Sequence, residues 1–216
     1  MDELFDAIRR GDLAAVKSLV DDDPSLASAR SGNVSAVLTA LYHGQHDIAR
    51  LLAGRASIGF HEAAALGDLD RVRTLLVATP SLLDERSADG FPPVGLAIFF
   101  RHPDVAKFLI ERGADVNAAA SNAQKVAPVH AAAAVRDIET MKLLLERGAD
   151  PNAVQQMDVT PLHGAASRGD VEMAKLLLAH GARADAKMSD GTSVAALAAK
   201  YNQSAFAEWF ESSVGE

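Results

Sequence analysis

The feature that most constrains this chain is a recurrence. The run Thr160-Pro161-Leu162-His163-Gly164-Ala165-Ala166 leads through Gly169-Asp170 to Leu176-Leu177-Leu178 and Gly181-Ala182. Displaced by 33 residues stands Ala127-Pro128-Val129-His130-Ala131-Ala132-Ala133, followed by Leu143-Leu144-Leu145 and Gly148-Ala149. A segment repeating at this period is one supersecondary unit whose apolar face is larger than the unit itself can cover, so copies must stack. A stacked array offers long open surfaces more readily than a deep enclosed site, and this directs attention to binding.

The position that ends the first helix of each unit serves as a register mark. It is occupied by Gly11, Gly44, Gly67 and Gly169, and the same register falls on Arg101, Arg136 and Tyr201, giving intervals of 33, 23, 34, 35, 33 and 32 residues. The spacing predicts one domain over 1–216 built from seven units, at roughly 1–30, 31–54, 55–88, 89–122, 123–156, 157–189 and 190–216. Each unit reads as helix, turn, helix, loop. In the sixth, Thr160 is a side-chain cap and Pro161 fills the first turn, where a missing N–H costs nothing. Gly169 suits the left-handed residue that closes the helix. Val171, Ala174, Leu177 and Leu178 then recur at three and four residues, the stripe of a packed helix. Asp89-Gly90 and Asp190-Gly191 are tight-turn signals between units.

Composition agrees with close-packed helices. Apolar residues make up 49% of the chain but aromatic ones only 5%, so the core is mainly Leu, Val and Ala. The net charge is -8 and no lysine or arginine run occurs, which disfavours nucleic acid and anionic membrane as partners. No apolar run approaches the roughly 20 residues of a membrane span. The absence of cysteine and the acidic start Met1-Asp2-Glu3 predict a cytoplasmic protein.

The pattern resembles the ankyrin repeat, which carries a Thr-Pro-Leu-His helix start, an Ala-Ala pair, a Gly-His or Gly-Asp turn, a Leu-rich second helix and a Gly-Ala-Asp-Val-Asn ending. Gly113-Ala114-Asp115-Val116-Asn117 is that ending unchanged, and Gly148-Ala149-Asp150-Pro151-Asn152 is nearly so. The resemblance implies an all-α, ankyrin-type α-solenoid of seven helix-turn-helix repeats with short β-hairpin fingers. It also implies a monomeric, non-enzymatic scaffold for a protein partner, needing no cofactor. Its histidines His61, His130 and His163 are then loop-fixing groups, and His46 and His102 match the family's turn histidine. The chain departs from the family in the 23-residue step through Leu51–His61, which lacks the usual ending and turn, so no finger is expected between the second and third units. The first and last units are expected to act as caps, with Asp21-Asp22-Asp23 and the tail from Glu211 facing solvent.

Catalytic and metal-binding patterns are absent from the sequence. There is no Gly-x-Ser-x-Gly elbow, no phosphate-cradling glycine motif and no thiolate. The unusual residues lie just before the register mark, where this repeat is ordinarily polar. Tyr42, Leu66, Phe99, Phe100 and Val135 are expected to form an apolar stripe along the concave face, either as a docking surface or as buried core. Finger tips offer a second candidate surface. It comprises Arg86 after the third unit, Gln124 and Lys125 after the fourth, Gln155, Gln156 and Met157 after the fifth, and Lys187 after the sixth. Two other readings stay open: a regulatory subunit of an enzyme, and an effector secreted without a leader.

Overall fold

The computed structural model describes residues 1–214; the last two residues of the tail lie outside the described part. Among the described residues, fourteen α-helices make seven helix–turn–helix pairs. These are α1 (Asp2–Arg10) with α2 (Leu13–Asp22), α3 (Ala36–Tyr42) with α4 (His46–Ala53), and α5 (Phe60–Leu66) with α6 (Leu69–Ala78). Next come α7 (Pro93–Phe99) with α8 (Pro103–Glu111), α9 (Pro128–Val135) with α10 (Ile138–Glu146), α11 (Pro161–Ser167) with α12 (Val171–Ala179), and α13 (Val194–Lys200) with α14 (Ser204–Val214). First helices stack on first helices from α1 to α13, and second helices form a parallel row that is thin both between α4 and α6 and between α12 and α14. The architecture is an all-α solenoid. Among the described residues, β pairing is confined to one antiparallel hairpin, β1 (Arg30–Ser31) with β2 (Val34–Ser35), and to bridges Gln155–Val159 and Lys187–Ser193 in two later fingers.

Alanine permits the stacking. Ala63, Ala64, Ala97, Ala132, Ala165 and Ala166 are fully buried, and their short side chains let successive first helices approach closely. The left-handed closing residue recurs at Gly11, Gly44, Gly67, Arg101, Arg136, Gly169 and Asn202. Tyr201, which the sequence register selects, has φ −96, while Asn202 has φ 59. The last interval is therefore 33 residues and not 32; asparagine tolerates this conformation better than a bulky tyrosine. The residue after the mark reaches back to the preceding unit. Gln45, His102 and Gln203 lie over Gly11, Gly67 and Gly169, where a Cβ would collide with them. The turn position in the second unit thus belongs to Gln45, and His46, assigned to it from sequence, opens α4 on the surface.

Two hydrogen-bond ladders tie consecutive units. Along the loop bases, Asp84 accepts from the Asp115 N–H, Asn117 from the Asp150 N–H and Asn152 from the Arg183 N–H, each at 2.8 Å. Asn117 and Asn152 also donate to the Gly148 and Gly181 carbonyls. Along the tips, Ser121 donates to Gly90, Gln156 to Gln124 and Ser189 to Met157, backbone to backbone. Histidines lock the helix starts. His130 Nδ1 accepts from the Ala127 N–H at 3.2 Å while Nε2 donates to the Val159 carbonyl at 3.1 Å. That pair of bonds requires the neutral ring. His61 reaches the Glu85 carbonyl in the same manner.

Neither ladder extends N-terminal to the third unit. The link 54–59 between α4 and α5 carries no finger, and the core divides there. One cluster runs from Phe60 to Phe210; the other holds the first two units together with Ala65 and Leu96. Asp21, Asp22 and Asp23 face solvent on the N-terminal unit, as does Glu211 near the other end.

Two predictions follow from this arrangement. Hydrogen exchange in rising denaturant will show protection in α1–α4 collapsing before that in α7–α12; coincident loss in both would show one cooperative core. Burial depresses the imidazole pKa values of His102, His130 and His163, in the first two against the opposing effect of their hydrogen bonds to backbone carbonyls. Their folded values thus lie below the unfolded value of about 6.5, so the unfolded chain binds protons first as pH falls. The stability from keeping these rings neutral is full above that value and is lost on acidification through the folded values. The urea midpoint should fall between about pH 7.5 and pH 5.5, and less steeply in His130→Gln; equal slopes in the two proteins would contradict the assignment.

Candidate functional site

With no finger between the second and third units, the end of α3 meets the finger 84–91 directly. The Tyr42 hydroxyl donates to Asp89 Oδ2 at 2.7 Å, a contact spanning 47 residues. Asp89 Oδ1 accepts from the Ser87 hydroxyl at 2.6 Å, and Ser87 Oγ accepts from the Phe91 N–H at 3.0 Å. Asn122 donates to the Asp89 carbonyl from the next finger. Partial burial and the adjoining carboxylate push the Tyr42 phenol well above its ordinary pKa, so it stays protonated as a donor. Its ring packs against Phe100 at 5.5 Å and Phe91 at 6.3 Å, and Phe100 meets Phe99 edge to face at 5.2 Å. Such aromatic pairs contribute about 0.5–1.5 kcal/mol beyond their area.

The expected stripe splits. Tyr42 and Phe99 remain 37% and 49% exposed. Leu66 and Phe100 are half-buried and pack on the N-terminal core. Val135 is 7% exposed and belongs to the other core cluster, which corrects its place on an exposed surface. It follows Ala134, whose small side chain leaves the stripe without an aromatic in that unit, and neighbouring helices close over the valine.

Between finger bases and first helices runs a groove. A cleft of about 430 Å³ is walled by Tyr42, Phe91 and Phe99, floored by Gly95, Leu96 and Ala131, and rimmed by Asp89 and Gln124. Phe99 separates it from a second depression of about 220 Å³, which runs over Ala134 and Gly164 to Gln155 and Arg168. Small floor residues make the groove, because a larger side chain at Gly95, Ala131 or Gly164 would occupy it. Of the tip residues, Gln124, Lys125, Gln156, Met157 and Lys187 are exposed and Gln155 is half-buried. The exposed Arg86 has a structural contact: its guanidinium donates twice to the Ala119 carbonyl, at 3.0 and 3.2 Å. The sequence does not mark Asp89 or Phe91 as site residues, because Asp89-Gly90 reads as a tight turn and Phe91 as its flank; the aromatic beside that turn is the available signal. Among the described residues no group of three or more histidines or carboxylates could hold a metal ion.

A family model described as ankyrin repeats (3 copies) matches residues 60–155 and 129–211. The chain belongs to the ankyrin-repeat family. Ankyrin repeats generally mediate protein–protein interaction, and domains of this kind are typically non-catalytic. The chain is 37% identical over 71 residues to the NAD-capped RNA hydrolase NUDT12 of Homo sapiens, covering 32% of this chain and 15% of that protein. The same hydrolase of Pongo abelii matches to the same extent. The DNA-binding protein RFXANK of Homo sapiens is 29% identical over 106 residues, 48% of this chain and 41% of that protein. The chain therefore spans less than half the length of each of these relatives.

Tyr42→Phe removes the hydroxyl and leaves the Asp89 carboxylate short of one donor. A loss of about 1–2 kcal/mol is expected, read as weaker hydrogen-exchange protection in α3 and α4 with α11 and α12 unchanged. Unaltered protection in α3 and α4 would show that the hydroxyl does not clasp the second unit to the finger.

Proposed function

We propose that the chain is a non-enzymatic scaffold that binds one protein partner through its concave helix face, with the finger tips as flanking contacts. The observation carrying this reading is the apolar cleft beside Phe99, a half-exposed ring with a depression on either side. An apolar cleft with a half-exposed aromatic ring at its mouth suits an anchor residue of a partner, and a frame already ordered loses little entropy when it binds. Gln124 lines the cleft and Gln155 the second depression, and the finger-tip residues Lys125, Gln156, Met157 and Lys187 complete the proposed contact set; Tyr42 and Asp89 close the N-terminal end of the groove. The scaffold acts as a cytoplasmic monomer. Nucleic acid is not its ligand, because the groove carries a carboxylate and the chain has a net charge of -8. Among the described residues no helix is long and apolar enough to cross a membrane.

The test substitutes Phe99 alone, since Phe100→Asp would place a charge against the N-terminal core. Phe99→Asp should leave the helical circular dichroism intact and cost no more than about 2–3 kcal/mol of stability. In affinity capture from native lysate, the protein retained by wild type should be depleted about tenfold or more on Phe99→Asp. It should be kept by Val77→Asp, a charge placed on a residue of α6 that is 78% exposed. Equal retention by Phe99→Asp would overturn the groove as the docking surface.

A further inference from the structure

Asp89 is the one acidic group lining the larger cleft, and its surroundings are unusual for a half-buried carboxylate. Each oxygen accepts a neutral hydroxyl, from Tyr42 at 2.7 Å and from Ser87 at 2.6 Å. Two ionised oxygens have room for about four hydrogen bonds, so acceptor capacity remains. Among the described residues no lysine, arginine or histidine nitrogen forms an ion pair with it. Arg86 lies in the same finger, yet its guanidinium is held on the Ala119 carbonyl. A carboxylate partly withdrawn from water beside apolar walls gains from a counter-charge. The rings of Tyr42, Phe91 and Phe99 line the same space, and aromatic faces attract cations.

We infer that the partner segment held in this groove carries a lysine or arginine whose cation pairs with Asp89, next to an apolar side chain that fills the cleft against Leu96 and Phe99. The inference rests on the docking role proposed above and names the chemistry of its ligand. A basic side chain suits the site along its whole length: its methylenes lie on apolar wall while its head reaches the carboxylate. At about 430 Å³ the cleft also has room for a neighbouring residue. The second depression continues past Phe99 to Arg168, so the occupant is an extended stretch of chain lying along the groove. Phosphate-bearing ligands meet repulsion at Asp89.

The experiment pans a phage-displayed random-peptide library against the full chain, against Phe99→Asp and against Asp89→Asn. Asparagine keeps an oxygen for the Tyr42 hydroxyl, so the clasp and the helical signal should persist. Wild type is expected to enrich peptides with lysine or arginine beside an apolar residue. The best of them, made synthetically, should bind Asp89→Asn about tenfold more weakly. A version with norleucine for the cation should bind both proteins alike. Peptides that need Phe99 but show no basic preference, or that bind Asp89→Asn as tightly as wild type, would overturn the inference and leave the groove as a docking site. Failure to select any peptide that depends on Phe99 would overturn both.

Discussion

Everything in this structure depends on the inability of a single helix pair to bury its own apolar face. Leu109, Leu144 and Leu177 are fully covered only because another pair lies over each, and the alanines of the first helices set how near that pair can come. Stability in such an array is approximately a sum of intrinsic terms and nearest-neighbour contacts, so a change at one joint is felt locally. Apolar stacking supplies much of the drive, but it is tolerant of sliding. Register comes from directional bonds: Asn117 and Asn152 span consecutive loops, and His130 fixes a helix start to the next finger.

That directional system begins only at the third unit, and the functional geometry grows from its absence before that point. Where a finger would separate the second unit from the finger at 84–91, Tyr42 reaches Asp89 instead. The clasp uses the phenol of an aromatic ring, a group that the ladders of the regular joints do without. It draws Phe91 and Phe100 together and leaves Phe99 at the mouth of a cleft. One irregularity therefore explains the divided core, the aromatic cluster and the groove. Tyr42 and Phe99, equivalent in register, perform different tasks: the first joins two units, and the second stands open between two depressions.

Much of the scaffold was legible from local signals. Thr160 and Pro161 open α11 because a side-chain oxygen and a residue without an N–H are what a first helical turn requires. The glycines at the turns mark a backbone conformation disfavoured for most other residues. The sequence register holds at Arg101 and Arg136, which adopt positive φ despite their side chains, and slips by one residue in the last unit, where Asn202 and not Tyr201 is the left-handed residue. His46 has the residue type of the turn position, but one place out of register: Gln45 occupies the contact over Gly11. The groove was only half visible. Tyr42 and Phe99 stood out as aromatics in polar positions, whereas Asp89 and Phe91 looked like parts of a turn.

The sequence by itself determined the period, the helix pairs, the all-α solenoid and the missing finger, because each is encoded in spacing along the chain and in the conformational limits of single residues. Tertiary structure decided which apolar side chains are open. Val135 and Tyr201 each stand one residue before the left-handed residue of their unit, yet the first is buried and the second more than half exposed. That difference is set by what the neighbouring units place against them, and it is not contained in either residue or its local sequence. The same holds for the charge at Asp89, whose partners Tyr42 and Ser87 come together only when the solenoid closes across the gap.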